Sequence, residues 1–126
     1  MRLLNSFFIL HNSYEDVSGT QAFHISLNPD HYIFKAHFPG NPVVPGVCQV
    51  QMALDILSWE LGVPLYLDEV KNIKYLSVMI PTEQLDYDVI FHKIKSSQYR
   101  VQASVVFEYN GKAYSKMSLT FATSKN

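Results

Sequence analysis

The sequence predicts an α+β fold in which a curved antiparallel sheet of five or six strands wraps one long, buried central helix. Apolar and polar residues alternate in several segments, which is typical of strands with one buried face. Residues 47–61 contain no Gly or Pro and place apolar side chains around nearly the whole helical circumference. That distribution predicts a helix buried on all sides. Gly62 and Pro64 provide its stop.

The N-terminal segment predicts a β-hairpin. Residues 7–14 are interpreted as the first strand, because this run is too short for a membrane span and lacks the small-residue cleavage site of a signal peptide. Phe23, Ile25 and Leu27 alternate with polar neighbours and predict a second, half-buried strand. The polar segment 15–20 is expected to connect the two strands.

The segments after the helix predict the rest of the sheet. Residues 70–80 are expected to be extended and to stop at Pro81. Asn110-Gly111 is the strongest short signal for a hairpin, and alternating residues precede and follow it. The predicted strands in this part of the chain are residues 70–80, 85–91, 101–109 and 113–121.

Composition excludes several classes of function. The chain has 126 residues, 48% of them apolar, which predicts one domain over residues 1–126. A formal charge of −1 without a Lys or Arg cluster argues against nucleic acid as a partner. The five histidines lack the spacing of metal ligands, so no metal or cofactor is predicted. The single Cys48 cannot form an internal disulfide, which favours a reducing compartment and predicts a cytoplasmic protein.

Residues 37–46, His-Phe-Pro-Gly-Asn-Pro-Val-Val-Pro-Gly, form the main candidate for a functional site. Three prolines and two glycines are too many for a regular helix or strand, so this segment is predicted to be a shaped loop. His37 at its start suits proton transfer near neutral pH. Because the buried helix follows directly, the loop predicts an active site at the start of that helix.

A narrow polar stripe interrupts the apolar helix. Gln51, Asp55 and Ser58 follow one another at spacings of four and three residues, which places them on one helical face. Buried polar groups need hydrogen-bond partners. The stripe is therefore predicted to face a polar cavity, a subunit interface or ordered water.

Residues 37–47 closely resemble the active-site segment of the hotdog-fold 3-hydroxyacyl-acyl-carrier-protein dehydratases of fatty acid synthesis, the FabZ/FabA group. The resemblance extends to most of the chain, including residues 30–36 and 74–85. It implies a hotdog fold and a homodimer or dimer-based oligomer, in which two sheets join edge to edge and each site takes residues from both subunits. The implied reaction is dehydration of a 3-hydroxyacyl thioester of acyl carrier protein or coenzyme A to the trans-2-enoyl thioester, in lipid or polyene synthesis.

The resemblance also implies roles for residues of the loop. His37 matches the histidine that takes the α-proton in that family. Backbone N–H groups near Gly46 and Val47 would bind the thioester carbonyl, since unpaired N–H groups and the helix dipole stabilise a developing enolate. The implied substrate-binding residues are Phe38, Pro39, Gly40, Pro45, Gly46 and Val47.

The sequence departs from the family at one catalytic position. The helix carboxylate expected fourteen residues after the histidine is Gln51 here. A Gln amide can donate a hydrogen bond but cannot transfer a proton, and loss of a general acid typically costs ~10²–10⁴ in rate. Asp55 lies one turn further on, roughly 6 Å away by helix rise. It either supplies the carboxylate or is a structural group at the dimer seam.

Three functions therefore stay open on the sequence. The first is a dehydratase in which Gln51 orients the leaving hydroxyl and His37 transfers the protons. The second is a hotdog thioesterase that uses a helix carboxylate and water. The third is a catalytically weak acyl-thioester-binding subunit that pairs with an active homologue. The basic residues that fit either an acidic carrier protein or a solvated strand face are Lys71, Lys74, Lys93, Lys95 and Arg100.

Overall fold

A six-stranded antiparallel sheet curves around one long helix in the computed structural model, which describes residues 1–124. The strand order is β1-β2-β4-β5-β6-β3, so β1 and β3 lie at the two edges. The elements, in chain order, are β1 (Phe8–Glu15), β2 (Gln21–Leu27), α1 (Tyr32–Ala36), α2 (Gly46–Leu61), β3 (Tyr66–Tyr75), β4 (Asp86–Ser96), β5 (Arg100–Tyr109) and β6 (Lys112–Ala122). This architecture confirms the predicted hotdog fold.

Both predicted hairpins form. β1 pairs antiparallel with β2, and β5 pairs antiparallel with β6. Asn110 and Gly111 both have positive φ angles, of 48° and 80°. A two-residue turn with positive φ at both positions matches the twist of the flanking strands, which is why Asn-Gly favours it.

The core lies between the concave face of the sheet and α2. Every second side chain of β2, β4 and β5 packs against the helix, as the alternation in the sequence predicts. Removing such large side chains from water stabilises the fold by roughly 1.5–3 kcal/mol each. The fully buried aromatic residues of the core are Tyr87, Phe7, Phe8, Phe23, Phe91, Phe107 and Phe121.

The helix is central and mostly buried, as predicted, but it is not buried on all sides within one chain. Val47 and Trp59 of α2 have 69% and 53% of their surface exposed. The sheet of one chain covers only part of the helical circumference, and the exposed Trp59 shares a cavity with Tyr66 and Leu67 of the edge strand β3.

The strand after the helix begins and ends earlier than expected. Its pairing with β6 runs from Tyr66 to Tyr75, and Leu76 and Ser77 both donate their N–H groups to the Tyr114 carbonyl. Shared use of one acceptor ends the regular ladder, so residues 76–80 lie outside the strand. The short helix α1 was not predicted; His31 caps it by accepting a hydrogen bond from the Ile33 N–H on Nδ1 at 3.2 Å. Neither helix is long and apolar enough to cross a membrane, within residues 1–124.

Candidate active site

The loop between α1 and α2 is held by backbone hydrogen bonds at both ends. The His37 N–H donates to the Ile33 carbonyl at 2.9 Å and closes α1, while the Val43 N–H donates to the His37 carbonyl at 2.9 Å. The Val44 N–H donates to the Met79 carbonyl at 2.9 Å and ties the loop to the segment after β3. These bonds fix the position of His37 relative to the start of α2, as a shaped loop requires.

His37 lines an open cavity of about 410 Å³ at the start of α2, called the His37 pocket below. The loop residues Phe38, Pro45 and Gly46 lie along the same pocket, and their role in substrate binding stays a prediction. Pro39, Gly40 and Val47 do not line it. The remaining lining residues come from the loop, from α2 and from the end of β3 and the segment after it: Val43, Val44, Gln49, Tyr75, Leu76, Ser77 and Val78.

The start of α2, which lines the His37 pocket at Gly46, carries unpaired hydrogen-bond donors. Pro45 is the N-cap residue and offers no side-chain cap. The N–H groups of Cys48 and Gln49 donate to the Pro45 carbonyl, whereas those of Gly46 and Val47 find no acceptor among residues 1–124. Free N–H groups and the positive end of the helix dipole together favour an oxygen that carries negative charge.

Tyr75, which the sequence analysis did not single out, packs directly on Gly46. A Cβ atom at position 46 would lie 2.5 Å from the Tyr75 hydroxyl oxygen. Any side chain at position 46 would therefore require the Tyr75 ring to move. Burial raises the pKa of the Tyr75 phenol, which stays a neutral hydrogen-bond donor near neutral pH. No local sequence pattern links these two residues, because they meet only when β3 folds beside α2.

Gln49 is a second residue of the His37 pocket that the sequence analysis missed. It lies on the first turn of α2, has only 3% of its surface exposed, and lines the pocket. Among residues 1–124 its Oε1 atom has no hydrogen-bond partner. The signal available in the sequence was a polar residue three positions after Gly46, on the helical face that starts at the loop.

Gln51 and Asp55 lie in a different cavity of about 790 Å³, called the Gln51 cavity below, which is lined also by Trp59 and Tyr66. Within one chain neither residue meets His37. Asp55 accepts hydrogen bonds on Oδ2 from the N–H groups of Leu3 at 2.6 Å and Leu4 at 3.2 Å.

The rest of the polar stripe is also paired inside the chain. Gln51 donates from Nε2 to Asp55 Oδ1 at 2.8 Å. Ser58 Oγ accepts a hydrogen bond from the Leu65 N–H at 3.1 Å. The hydrogen bonds of the stripe therefore connect α2 to the N-terminal segment and to the residue before β3. A catalytic role for Gln51 or Asp55 stays a prediction.

Comparison with known proteins assigns the family. A family model described as ApeI-like, ApeI dehydratase, matches residues 13–118, which is most of the chain. The chain belongs to the ApeI-like dehydratase family. A 3-hydroxyacyl-[acyl-carrier-protein] dehydratase FabZ of Brucella ovis is 31% identical over 100 residues, covering 71% of this chain and 62% of that protein. The FabZ of Ligilactobacillus salivarius is 35% identical over 72 residues, covering 52% and 51%. The chain thus spans between half and two thirds of the length of these relatives.

Solved structures agree on the fold. The dehydratase heterocomplex ApeI:P of Xenorhabdus doucetiae superposes with a TM-score of 0.70 at 14% identity, covering 90% of this chain and 96% of that one. A mutant of the thioesterase PA1618 of Pseudomonas aeruginosa superposes with a TM-score of 0.62 at 14% identity, covering 91% and 79%. At this identity the likeness concerns the hotdog fold alone.

The other titratable residues of this ApeI-like chain lie outside the His37 pocket. His24 sits between two carboxylates on the sheet, with Nδ1 3.0 Å from Asp88 and Nε2 3.3 Å from Asp86. No three or more His, Cys, Asp or Glu side chains within residues 1–124 could jointly hold a metal ion. Burial raises the pKa of the Cys48 thiol, which makes it a weak nucleophile at neutral pH.

Proposed function

We propose that this protein dehydrates 3-hydroxyacyl thioesters to trans-2-enoyl thioesters. The observation that carries the proposal is the His37 pocket, which is lined both by His37 and by Gly46, the first residue of α2, whose N–H group is unpaired within residues 1–124. The FabZ relatives are named for this reaction on acyl carrier protein. We extend the substrate class to this chain, in lipid or polyene synthesis within the cytoplasm.

The reaction follows from the placement of these groups. The thioester carbonyl accepts hydrogen bonds from the Gly46 and Val47 N–H groups, which stabilise the enolate as it develops. The His37 imidazole takes the proton from the α-carbon, and the electron pair of that C–H bond forms the new C=C bond. The bond between the β-carbon and the hydroxyl oxygen breaks, and the imidazolium returns its proton to that oxygen. Water and the enoyl thioester leave.

A dimer that pairs through the edge strand β3 would bring the residues of a complete active site together. β3 pairs with β6 on one side, and no strand of the described chain covers its other side. Leu67 and Val70 expose 45% and 44% of their surface along this edge, next to the exposed Trp59 of α2. An open edge flanked by apolar side chains favours pairing with a second chain.

The direction of α2 along β3 determines what such a dimer would bring together. The start of α2 meets the end of β3 in the His37 pocket, and the end of α2 meets the start of β3 in the Gln51 cavity. Antiparallel pairing about a two-fold axis places the start of one β3 beside the end of the other. Gln51 of the partner subunit would then lie next to His37.

A second candidate is a binding subunit without its own acid. The amide of Gln51 is engaged by Asp55, so neither side chain offers a free carboxylic acid. The ApeI:P assembly is named a heterocomplex, and a chain of this kind would fit a pair with a different, active hotdog subunit.

The test is mass spectrometry of products formed from 3-hydroxyacyl thioesters of carrier protein and of coenzyme A, at several chain lengths. We expect enoyl product from the wild-type protein and its loss in His37→Ala, with fold and oligomeric state retained. His11→Ala is the matched control, because His11 bonds Ser26 on the sheet and does not line the pocket. Free acid would identify a thioesterase, and no turnover would identify a binding subunit. Full activity in His37→Ala would refute the assignment.

A further inference from the structure

Gln49 is the least explained polar residue of the His37 pocket. Its Oε1 atom is buried and lacks a hydrogen-bond partner. Leaving such a group unpaired is destabilising, and buried unpaired groups are uncommon enough to need a reason. Two other side chains of the described residues, Gln21 and Ser115, share this property, but neither lines the His37 pocket. Of the three residues, Gln49 is the one that lines the His37 pocket.

The position of Gln49 selects the part of a substrate that would reach it. Gln49 follows Gly46 by three residues on one helical face, about 4.5 Å further along the axis. When the thioester carbonyl oxygen accepts hydrogen bonds from the Gly46 and Val47 N–H groups, the α-carbon of the substrate points toward His37. One methylene group separates the carbonyl carbon from the β-carbon, so a substituent on the β-carbon comes within reach of a group one turn deeper.

The chemistry of Oε1 selects the substituent. An amide oxygen accepts hydrogen bonds and does not donate them. The β-hydroxyl is the one O–H or N–H donor on the reacting carbons of a 3-hydroxyacyl thioester, because the amides of the carrier arm lie beyond the sulfur. We propose that Gln49 binds the β-hydroxyl of the substrate through Oε1. This inference rests on the proposed dehydratase function and adds the residue that recognises the leaving group.

Such a contact explains how the hydroxyl can leave although Gln51 cannot donate a proton. With its hydrogen held by Gln49, the hydroxyl turns its lone pairs away from the amide and toward the imidazolium that His37 becomes after taking the α-proton. His37 then returns that proton to the hydroxyl oxygen as the C–O bond breaks, and no second acid is required. Gln49 orients the leaving group and transfers no proton itself.

The test substitutes Gln49 by Met, which keeps the volume and removes both polar atoms. On a His37→Ala background, where no turnover occurs, titration calorimetry compares binding of a 3-hydroxyacyl pantetheine with binding of the saturated acyl pantetheine. We expect Gln49 to favour the hydroxylated ligand and Gln49→Met to reduce that preference by about tenfold to a hundredfold. With His37 present, Gln49→Met should lower kcat for dehydration by a similar factor.

Thermal unfolding separates a binding role from a structural one. Removing an unpaired buried amide should leave the melting temperature of Gln49→Met unchanged or raised. Gln21→Met is the matched control, since it removes the same kind of unpaired Oε1 atom at the start of β2, away from the pocket. It should change neither kcat nor ligand preference.

The outcomes distinguish the two proposals. An unchanged ligand preference in Gln49→Met overturns the role given to Gln49, even when the wild-type protein is an active dehydratase. A lower melting temperature with unchanged preference likewise makes Gln49 structural. If the wild-type protein turns nothing over but its preference for the hydroxyl depends on Gln49, the proposed reaction fails and the hydroxyl site stands.

Discussion

At the scale of single residues, the shape of the His37 pocket depends on close packing between individual side chains and the backbone. Gly46 is the clearest case, because the Tyr75 ring occupies the volume where a side chain at position 46 would begin. The same ring forms one wall of the His37 pocket. A change at either residue therefore alters the shape of the pocket before it alters the fold.

We expect Gly46→Ala to lower turnover by tenfold or more while changing the melting temperature little. Tyr75 is half exposed, so its ring can swing aside, and displacement of pocket walls by even 1 Å can cost roughly 10²-fold in rate. Steady-state kinetics and thermal unfolding measure the two effects. The double variant Gly46→Ala, Tyr75→Ala removes the clash and should keep more activity than Gly46→Ala. Equal activities would show that the clash is not the cause.

The pair of Gln51 and Asp55 gives a second residue-level prediction. Gln51→Glu alone should raise the dehydration rate little. The new carboxylate would face Asp55 at the 2.8 Å spacing that the Gln51 amide now has, and like charges at this spacing repel. Adding Asp55→Asn restores a donor opposite an acceptor and still lets an amide oxygen receive the Leu3 and Leu4 N–H groups.

We therefore expect the double variant Gln51→Glu, Asp55→Asn to exceed the wild-type rate by ~10²-fold or more, since it supplies a general acid. Its rate should fall with rising pH as the new carboxyl ionises, a dependence that the parent lacks. Asp55→Asn alone is the control for lost charge. If Asp55→Asn alone abolishes turnover, Asp55 is already the acid and the one-histidine mechanism is wrong.

At the scale of elements, Tyr87 links β4 to the segment after β3. Its ring is buried, meets the Tyr114 ring edge-on at 5.1 Å, and its hydroxyl interacts with the Ile80 backbone. Burial is the main cause that raises the pKa of the Tyr87 phenol well above its ordinary value of 10.0. The folded protein therefore holds this proton more tightly than the unfolded chain does.

This linkage predicts a loss of stability in alkali. Above pH 10 the unfolded chain releases the Tyr87 proton first, so the free energy of unfolding falls as the pH rises; below pH 10 this residue contributes no slope. Denaturant unfolding between pH 8 and 11 measures the effect, and Tyr87→Phe should flatten the alkaline decline. Tyr99→Phe, at an exposed position, is the control and should leave the decline unchanged. An identical slope in Tyr87→Phe would contradict the argument.

At the scale of the whole molecule, the two edges of the sheet are expected to behave differently. Val70 on β3 and Ile9 on β1 expose 44% and 50% of their surface. Only the β3 edge lies beside the exposed apolar side of α2 and between the His37 pocket and the Gln51 cavity. We expect this edge to carry the dimer.

Val70→Asp should convert the dimer to monomer, because two carboxylates would face each other near the two-fold axis of the seam. Light scattering at micromolar concentration measures the mass, and the monomer should lose dehydratase activity. Ile9→Asp places the same charge on the other edge strand and should leave mass and activity unchanged. A dimeric, active Val70→Asp protein would exclude β3 as the seam.

The sequence by itself determined the strand pattern, the Asn110-Gly111 turn, the central helix and the loop that begins at His37. These features follow from short-range rules: the period of apolar residues, the φ angles that Asn and Gly accept, and the exclusion of Pro from regular elements. The polar stripe was also visible, since helical spacing reveals which residues share a face.

Only the tertiary structure decided what those faces meet. Asp55 accepts hydrogen bonds on Oδ2 from N–H groups 52 and 51 residues away, and Tyr75 fills the space over Gly46 from the far end of β3. Gln49 faces the His37 pocket without a partner because no residue of the described chain brings a donor to it. Periodicity gives the direction of a side chain from its own backbone, whereas hydrogen bonding and close packing depend on segments that are distant in sequence.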